Sequence, residues 1–201
     1  MKAANKHAKI ISAATKVFAK KGFFNARISD IAKEAKVADG TIYLYFNNKV
    51  DILRSVFEEE IEAIIQHTKK LIVSELDPRR KLEIFVVAHL SYMKKNKNLA
   101  EVMQIELRQS TKLIKDYKNL KFNEYIDIIA EIIKQGQKQN IFRKDILPNI
   151  AKRTIFGALD EVSRVWNSSL ETHYSVEEAG CQMIKIFILG MLDGQLEKNT
   201  A

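Results

Sequence analysis

Residues 28–53 read ISDIAKEAKVADGTIYLYFNNKVDIL, and this stretch decides the fold. Ile28, Ile31, Ala32 and Ala35 recur at helical spacing, with Ser29 and Asp30 supplying capping oxygens and negative charge in the first turn. A tight turn follows, and a second helix is predicted over 39–46. On it, Ile42 and Phe46 are four apart and share one face, which joins Val37, Ile31 and Phe18 in a core. Asp39, Gly40, Thr41, Tyr43, Leu44 and Tyr45 are then expected to point outward. Two tyrosines and a leucine on so short a helix make a poor solvent surface unless something docks on them.

The charge says what docks. Residues 1–50 hold ten Lys/Arg against three Asp/Glu, or +7, whereas residues 51–201 hold 23 against 22, or +1. A basic head on a neutral body suits a polyanion. Two short helices joined by a tight turn in that head read as a helix-turn-helix, whose second helix enters the major groove. Gly40 lets the start of that helix approach DNA closely. Thr41, Tyr43 and Tyr45 are suited to phosphate oxygens, and Lys49 adds charge.

Away from the head the chain reads as helical almost throughout. Ile10, Ala14, Val17 and Phe18 make a stripe on a first helix that ends near Gly22. Asn47 or Asn48 caps a long fourth helix to about Ser74, with Ile52, Leu53, Val56, Phe57, Ile61, Ile64, Ile65 and Leu71 as its apolar positions. Pro78 opens a fifth. Further helices fit 98–109, 111–139, 148–171 and 175–196, the last with a Ser175–Glu178 capping box. Two prolines, seven glycines and no strand alternation give an all-α class of about nine helices. The head is expected over 1–47 and a helical body over 48–201.

The one cysteine, Cys181, excludes an intrachain disulfide and is expected to be buried, in a reducing compartment. The N-terminal residues lack an apolar signal core. The longest strongly apolar run, MIKIFILGML, is half a membrane span, so a soluble cytoplasmic protein without membrane association is expected. His7, His67, His89 and His173 are scattered without metal-ligand spacing, and no metal site or cofactor is expected. No nucleophile elbow, phosphate-binding glycine loop or paired catalytic carboxylate marks an enzyme.

The matched positions carry a resemblance. Gly22-Phe23, Ile28-Ser29-Asp30-Ile31-Ala32, Gly40-Thr41-Ile42-Tyr43-Leu44-Tyr45-Phe46 and Asn48-Lys49 resemble the DNA-binding segment of the TetR family of bacterial repressors, over residues 8–55. The resemblance implies phosphate contacts for Thr41, Tyr43, Tyr45 and Lys49. It implies base-facing positions for Ser29, Asp39, Gly40 and Leu44, with Leu44 on a thymine methyl and Asp39 accepting from a cytosine amine. Three positions depart from the family pattern. Lys36 replaces the usual turn glycine, at about 1 kcal/mol if left-handed. Ala38 replaces a capping serine. Arg27 replaces a small hydroxyl residue and adds a candidate phosphate contact.

The resemblance further implies a ligand-binding and dimerisation body. Ala151, Ile155, Ala158, Leu159 and Val162 on the helix over 148–171, with Met183, Phe187 and Met191 on the last helix, are the candidate homodimer interface. The segment LAEVMQIELRQS, 99–110, together with IFGALDEVSRVW, 155–166, resembles the acyl-CoA-responsive repressors of fatty-acid degradation genes in Gram-positive bacteria. The implied effector is long-chain acyl-CoA. An apolar tunnel would draw on Phe85, Met93, Met103, Leu107, Ile129, Phe156 and Trp166, with His89, Gln104 and Asp160 beside it. Arg108, Lys112, Lys115, Lys118 and Arg164 are the candidate cations for CoA phosphates. The expected protein is therefore a repressor, homodimeric on a palindromic operator in double-stranded DNA and released by its effector. A multidrug-type repressor sensing aromatic cations is the alternative within the fold. A basic membrane-surface protein or enzyme is the alternative outside it, and leaves Gly40, Thr41 and Tyr43 unexplained.

Overall fold

The computed structural model describes residues 2–103, 120–167 and 174–193, and side chains from Lys6 onward except that of Asn167. Among the described residues the regular elements are helices. The elements are α1 (Lys2–Asn25), α2 (Ile28–Ala35), α3 (Asp39–Ile42), α4 (Lys49–Ile72), α5 (Pro78–Lys95), α6 (from residue 97, described to 103), α7 (Leu120–Lys138), α8 (Pro148–Asn167) and α9 (Val176–Met191). They divide into two compact units. One reaches to Glu62 and includes the described residues from Asn96; the other comprises Ala63–Lys95 and the described residues from Leu120.

The first unit is built on the anticipated stripe. Ile10, Ala14, Val17 and Phe18 of α1 bury against Ile31, Ala32 and Ala35 of α2, Ile42, Phe46, and Ile52, Leu53 and Val56 of α4, with Val102 of α6 joining them. Gly22 interrupts α1 at φ 72°, ψ 156°, a backbone conformation almost confined to glycine, so the chain swings Phe23 inward there. Lys36 sits in the left-handed region at φ 57°, ψ 47°, and its N–H reaches back to the carbonyls of Ala32 and Lys33. The turn that glycine usually makes is made here by lysine.

Helix starts follow the local chemistry. Asn48 caps α4 through its Oδ1, which accepts from the N–H of Asp51 at 2.9 Å, while Asp51 Oδ2 accepts from the N–H of Asn47 at 3.1 Å. Asp77 caps α5 ahead of Pro78, accepting from the N–H of Arg79 at 2.9 Å. The Arg79 guanidinium holds the Asp77 carboxyl below the usual carboxylate range. Ser175 and Glu178 exchange both bonds of a capping box at α9.

In the second unit α5 packs on α7, α8 and α9, and α7 packs on α8. Gly136 is required by contact: a Cβ there would lie 2.1 Å from the Phe142 ring, which folds back over α7. The Phe142 segment then pairs with the end of α9. The N–H of Arg143 donates to Met191 at 2.9 Å and that of Asp193 to Ile141 at 3.1 Å. This bridge stops α9 at Met191, short of the predicted 196, because Leu192 is extended rather than helical. Leu71, predicted to be a core position of α4, is exposed near that helix's end, and Cys181 lies on the outer face of α9 rather than inside.

Candidate functional site

The candidate reading face comes from α2, α3 and the first turn of α4. Asp30 closes the start of α2, accepting from the backbone N–H of Arg27 at 3.0 Å and pairing with Lys21 at 2.7 Å. The Lys21 hydrogen bond first, and the Arg27 N–H second, hold the Asp30 carboxyl below its ordinary value. Arg27 and Ser29 are thereby left exposed at the edge of the face. The α-helical part of α3 ends at Ile42, sooner than predicted. The chain tightens into three-residue turns, with the N–H of Leu44 donating to Thr41 at 3.2 Å and that of Tyr45 to Ile42 at 3.0 Å.

The split between core and surface is sharp. Ile42 and Phe46 are buried, while Tyr43 is 58% and Leu44 80% exposed. Asp39 and Gly40 are exposed, Thr41 is half-buried, and nothing lies within 4 Å of where a Gly40 Cβ would stand. Tyr45 departs from expectation. It is half-buried, with its ring edge-on to His7 at 5.9 Å and 6.5 Å from Phe46. The turn after Ile42 rotates it back toward α1.

Lys49 also departs from expectation. Its Nζ donates to the carbonyls of Phe23 at 2.7 Å, Ala26 at 2.8 Å and Phe24 at 3.1 Å, and lies 4.6 Å from the Phe23 ring centroid. An ammonium has three N–H donors, and all three are taken. Lys49 closes the carbonyl end of α1 rather than presenting a free charge to phosphate.

In the second unit the sequence-predicted ligand residues form an aromatic core. Phe85 stacks on Tyr125 at 5.2 Å, and Phe156 stands edge-on to Phe122 at 4.9 Å and to His89 at 5.7 Å. His89 Nδ1 and Tyr125 Oη are 2.8 Å apart, and burial pushes the imidazole down to about 4, so it is neutral at pH 7. Met93 and Ile129 are buried in the same unit; Met103 is buried in the first. Gln104, Leu107, Arg108, Lys112, Lys115, Lys118 and His173 lie outside the described residues. Arg164 is not a free cation, because Glu161 holds its guanidinium through Nε at 2.9 Å and through Nη2. Asp160 is half-buried.

Sequence reasoning missed Tyr125, Ser163 and Lys94. Among the described residues Ser163 Oγ and Trp166 Nε1 are buried without a hydrogen-bond partner, and Lys94 Nζ stands 4.9 Å from the Trp166 ring centroid. Ser163 sits at helical spacing between Leu159 and Trp166, so the stripe was visible; the absence of partners was not.

The candidate dimer residues fall into two groups in the single subunit. Ala151, Ile155, Leu159, Met183 and Met191 are buried within their own subunit, and Ala158, Val162 and Phe187 are half-buried. The apolar side chains that α8, α9 and the preceding loop present to solvent are Leu147, Ile150, Ile186 and Leu189, the last two each 68% exposed. A groove of about 460 Å³ is lined by Leu147, Ile150, Thr154, Ile186, Phe187 and Gly190. Packing on α5 and α7 had already claimed the stripe that the periodicity picked out.

Comparison with known proteins covers both units. Residues 10–56 match the bacterial regulatory proteins of the tetR family, and residues 57–193 match the C-terminal region of YsiA-like protein. The fatty acid metabolism regulator protein of Bacillus subtilis strain 168 is 37% identical over 161 residues, 80% of this chain and 83% of that protein. The crystal structure of transcriptional regulator FadR from Bacillus subtilis in complex with stearoyl-CoA is similar at a TM-score of 0.83 and 33% identity, over 92% of this chain and 98% of that one. Fatty acid degradation regulator FadR from Bacillus halodurans is similar at 0.81 and 36%, over 92% and 95%. The chain belongs to the TetR family of bacterial transcriptional regulators: a DNA-binding helix-turn-helix head carried by a helical regulatory body. Among the described residues no helix is long and apolar enough to cross a membrane.

Proposed function

We propose that this protein is a cytoplasmic repressor of fatty-acid degradation genes, a homodimer on a palindromic operator, released by long-chain acyl-CoA. The observation that carries the effector is the similarity, across head and body alike, to a regulator solved with stearoyl-CoA. The observation that supports the reading face is the exposure of Tyr43 and Leu44 beside Gly40 in a segment, residues 1–50, of charge +7.

In this reading Arg27, Thr41 and Tyr43 meet phosphates, and Ser29, Asp39 and Leu44 face bases. Lys49 acts one step back, holding α4 to the end of α1 so that α3 is presented in one orientation. A second copy covers Leu147, Ile150, Ile186 and Leu189, which a solitary subunit would leave as exposed apolar surface. Release requires no catalysis. The effector has only to prefer the state whose two heads do not fit successive major grooves, and a preference of about 3 kcal/mol weakens operator binding roughly 150-fold.

The test is release of the protein from an operator duplex by stearoyl-CoA, free stearate, CoA and an aromatic cation at matched concentrations. Release by stearoyl-CoA alone is the expected result. Release by the aromatic cation alone would replace the acyl-CoA reading with a multidrug one.

A further inference from the structure

Helix α8 turns one stripe inward: Phe156, Leu159, Ser163 and Trp166. Its first member closes on the aromatic cluster of His89, Tyr125 and Phe122. Its last member lies under the exposed Lys94 and 6.4 Å from the ring of Tyr174. The stripe therefore runs from an apolar aromatic interior to a wet, cationic edge within a single unit.

Two polar groups on this stripe are unexplained. Ser163 is only 6% exposed, and its hydroxyl has no partner among the described residues; the Trp166 ring is part-exposed, yet its Nε1 is buried and has none among them either. A serine within a helix commonly returns its hydroxyl to the carbonyl four residues back, and Ser163 does not. Each orphaned buried donor is a cost that a folded protein ordinarily avoids. The two stand three residues apart on one helix face, where side chains are neighbours at roughly 5–6 Å. The indole N–H can only donate and the hydroxyl can donate, so the missing partner is an acceptor.

We infer that Ser163 and Trp166 are the donors that grip the carbonyl groups at the junction of acyl chain and pantetheine arm. Ser163 takes the thioester oxygen, and Trp166 takes an amide oxygen nearer the edge marked by Lys94. The inference rests on the acyl-CoA reading above. It accounts for polar groups placed where an aliphatic chain gives way to a run of carbonyls, and for an indole whose ring is held by a cation while its N–H stays unspent.

The test compares stearoyl-CoA with S-octadecyl-CoA, a thioether of similar length and the same charge that lacks the thioester oxygen. Affinities are measured by titration calorimetry on the full-length protein, Ser163→Ala and Trp166→Phe. The expected result is that the unaltered protein prefers the thioester by about tenfold or more, the range for one buried hydrogen bond. Ser163→Ala should bind the two equally, at the thioether's level. Trp166→Phe should weaken both by a similar factor, because both keep the pantetheine amides. Without ligand, Ser163→Ala should melt no lower than the unaltered protein, since its hydroxyl had nothing to lose. If Ser163→Ala keeps the thioester preference, the hydroxyl holds only a water and the inference is overturned. If the unaltered protein binds neither CoA ligand, the effector reading itself fails, which the first titration reveals before any variant is made.

Discussion

Lys49 Nζ lies 2.7 Å from the carbonyl oxygen of Phe23 and 4.6 Å from the centroid of the same residue's ring. One ammonium thus takes both the backbone and the π-face of the residue that follows the Gly22 break. The carbonyls at the end of a helix have no intrahelical donors, and a cation there also answers the helix dipole. The first residue of α4 is tied in this way to the last turn of α1.

Replacing Lys49 with Met keeps an unbranched side chain and deletes the ammonium with its three hydrogen bonds and its contact with the Phe23 ring. The first unit should lose about 1–3 kcal/mol, read by chemical denaturation. Operator binding should weaken while its dependence on salt keeps the same slope, because no phosphate contact has been removed. A slope lower by about 0.9 would put Lys49 on a phosphate after all.

Leu44 is 80% exposed, so Leu44→Ala should leave stability nearly unchanged. Its effect should appear as relaxed preference at one or two base pairs, each about 1–3 kcal/mol. Tyr43→Phe should instead weaken every duplex alike, by about 0.5–1.5 kcal/mol. An unchanged ranking of operator variants for Leu44→Ala would show that another side chain reads the bases.

His89 gives the body a pH dependence. Its folded-state pKa, about 4, lies below the ordinary 6.5 because burial disfavours the imidazolium. The unfolded chain takes up the proton first, so the stabilisation is full above about pH 6.5 and is lost as pH falls toward 4. The size is about 3 kcal/mol at most. Stability measured at pH 7 and pH 4.5 should therefore converge between the unaltered protein and His89→Gln as pH falls. Parallel curves would mean that His89 is not kept neutral by burial.

Ile150 and Ile186 are exposed in the subunit, so Ile150→Asp and Ile186→Asp should leave the monomer fold intact. Each should shift the protein from dimer to monomer in sedimentation at micromolar concentration, and operator affinity should fall with it. The control is Ile155→Val, buried in the subunit's own core, which should cost about 0.5–1.5 kcal/mol of stability and leave the mass unchanged. A dimer that survives both aspartates would place the interface elsewhere.

Much of the head was legible because its signals are local. Helical spacing marked Ile31, Ala32, Ile42 and Phe46 for the core, and all four are buried. The asparagine cap, the proline start and the Ser175–Glu178 box depend on residues within four positions of one another, so their chemistry travels with the sequence. The left-handed turn at Lys36 was raised only as a condition, from the glycine that the resembling family has there, and the backbone meets that condition.

What the chain alone determined, then, is which segments are helices, where they start, and which short stretch leaves tyrosine and leucine facing outward on a basic surface. What only the tertiary structure decided is how groups far apart in sequence spend their bonds. Lys49 finds carbonyls 23 to 26 residues back, and His89 finds Tyr125 36 residues on. The apolar stripe of α8 is consumed by its own subunit, and Leu147, Ile150, Ile186 and Leu189 are left exposed. Periodicity reports that a face is apolar. It does not report which of several packed neighbours will cover that face, because that choice is a competition among contacts that exist only once the helices have come together.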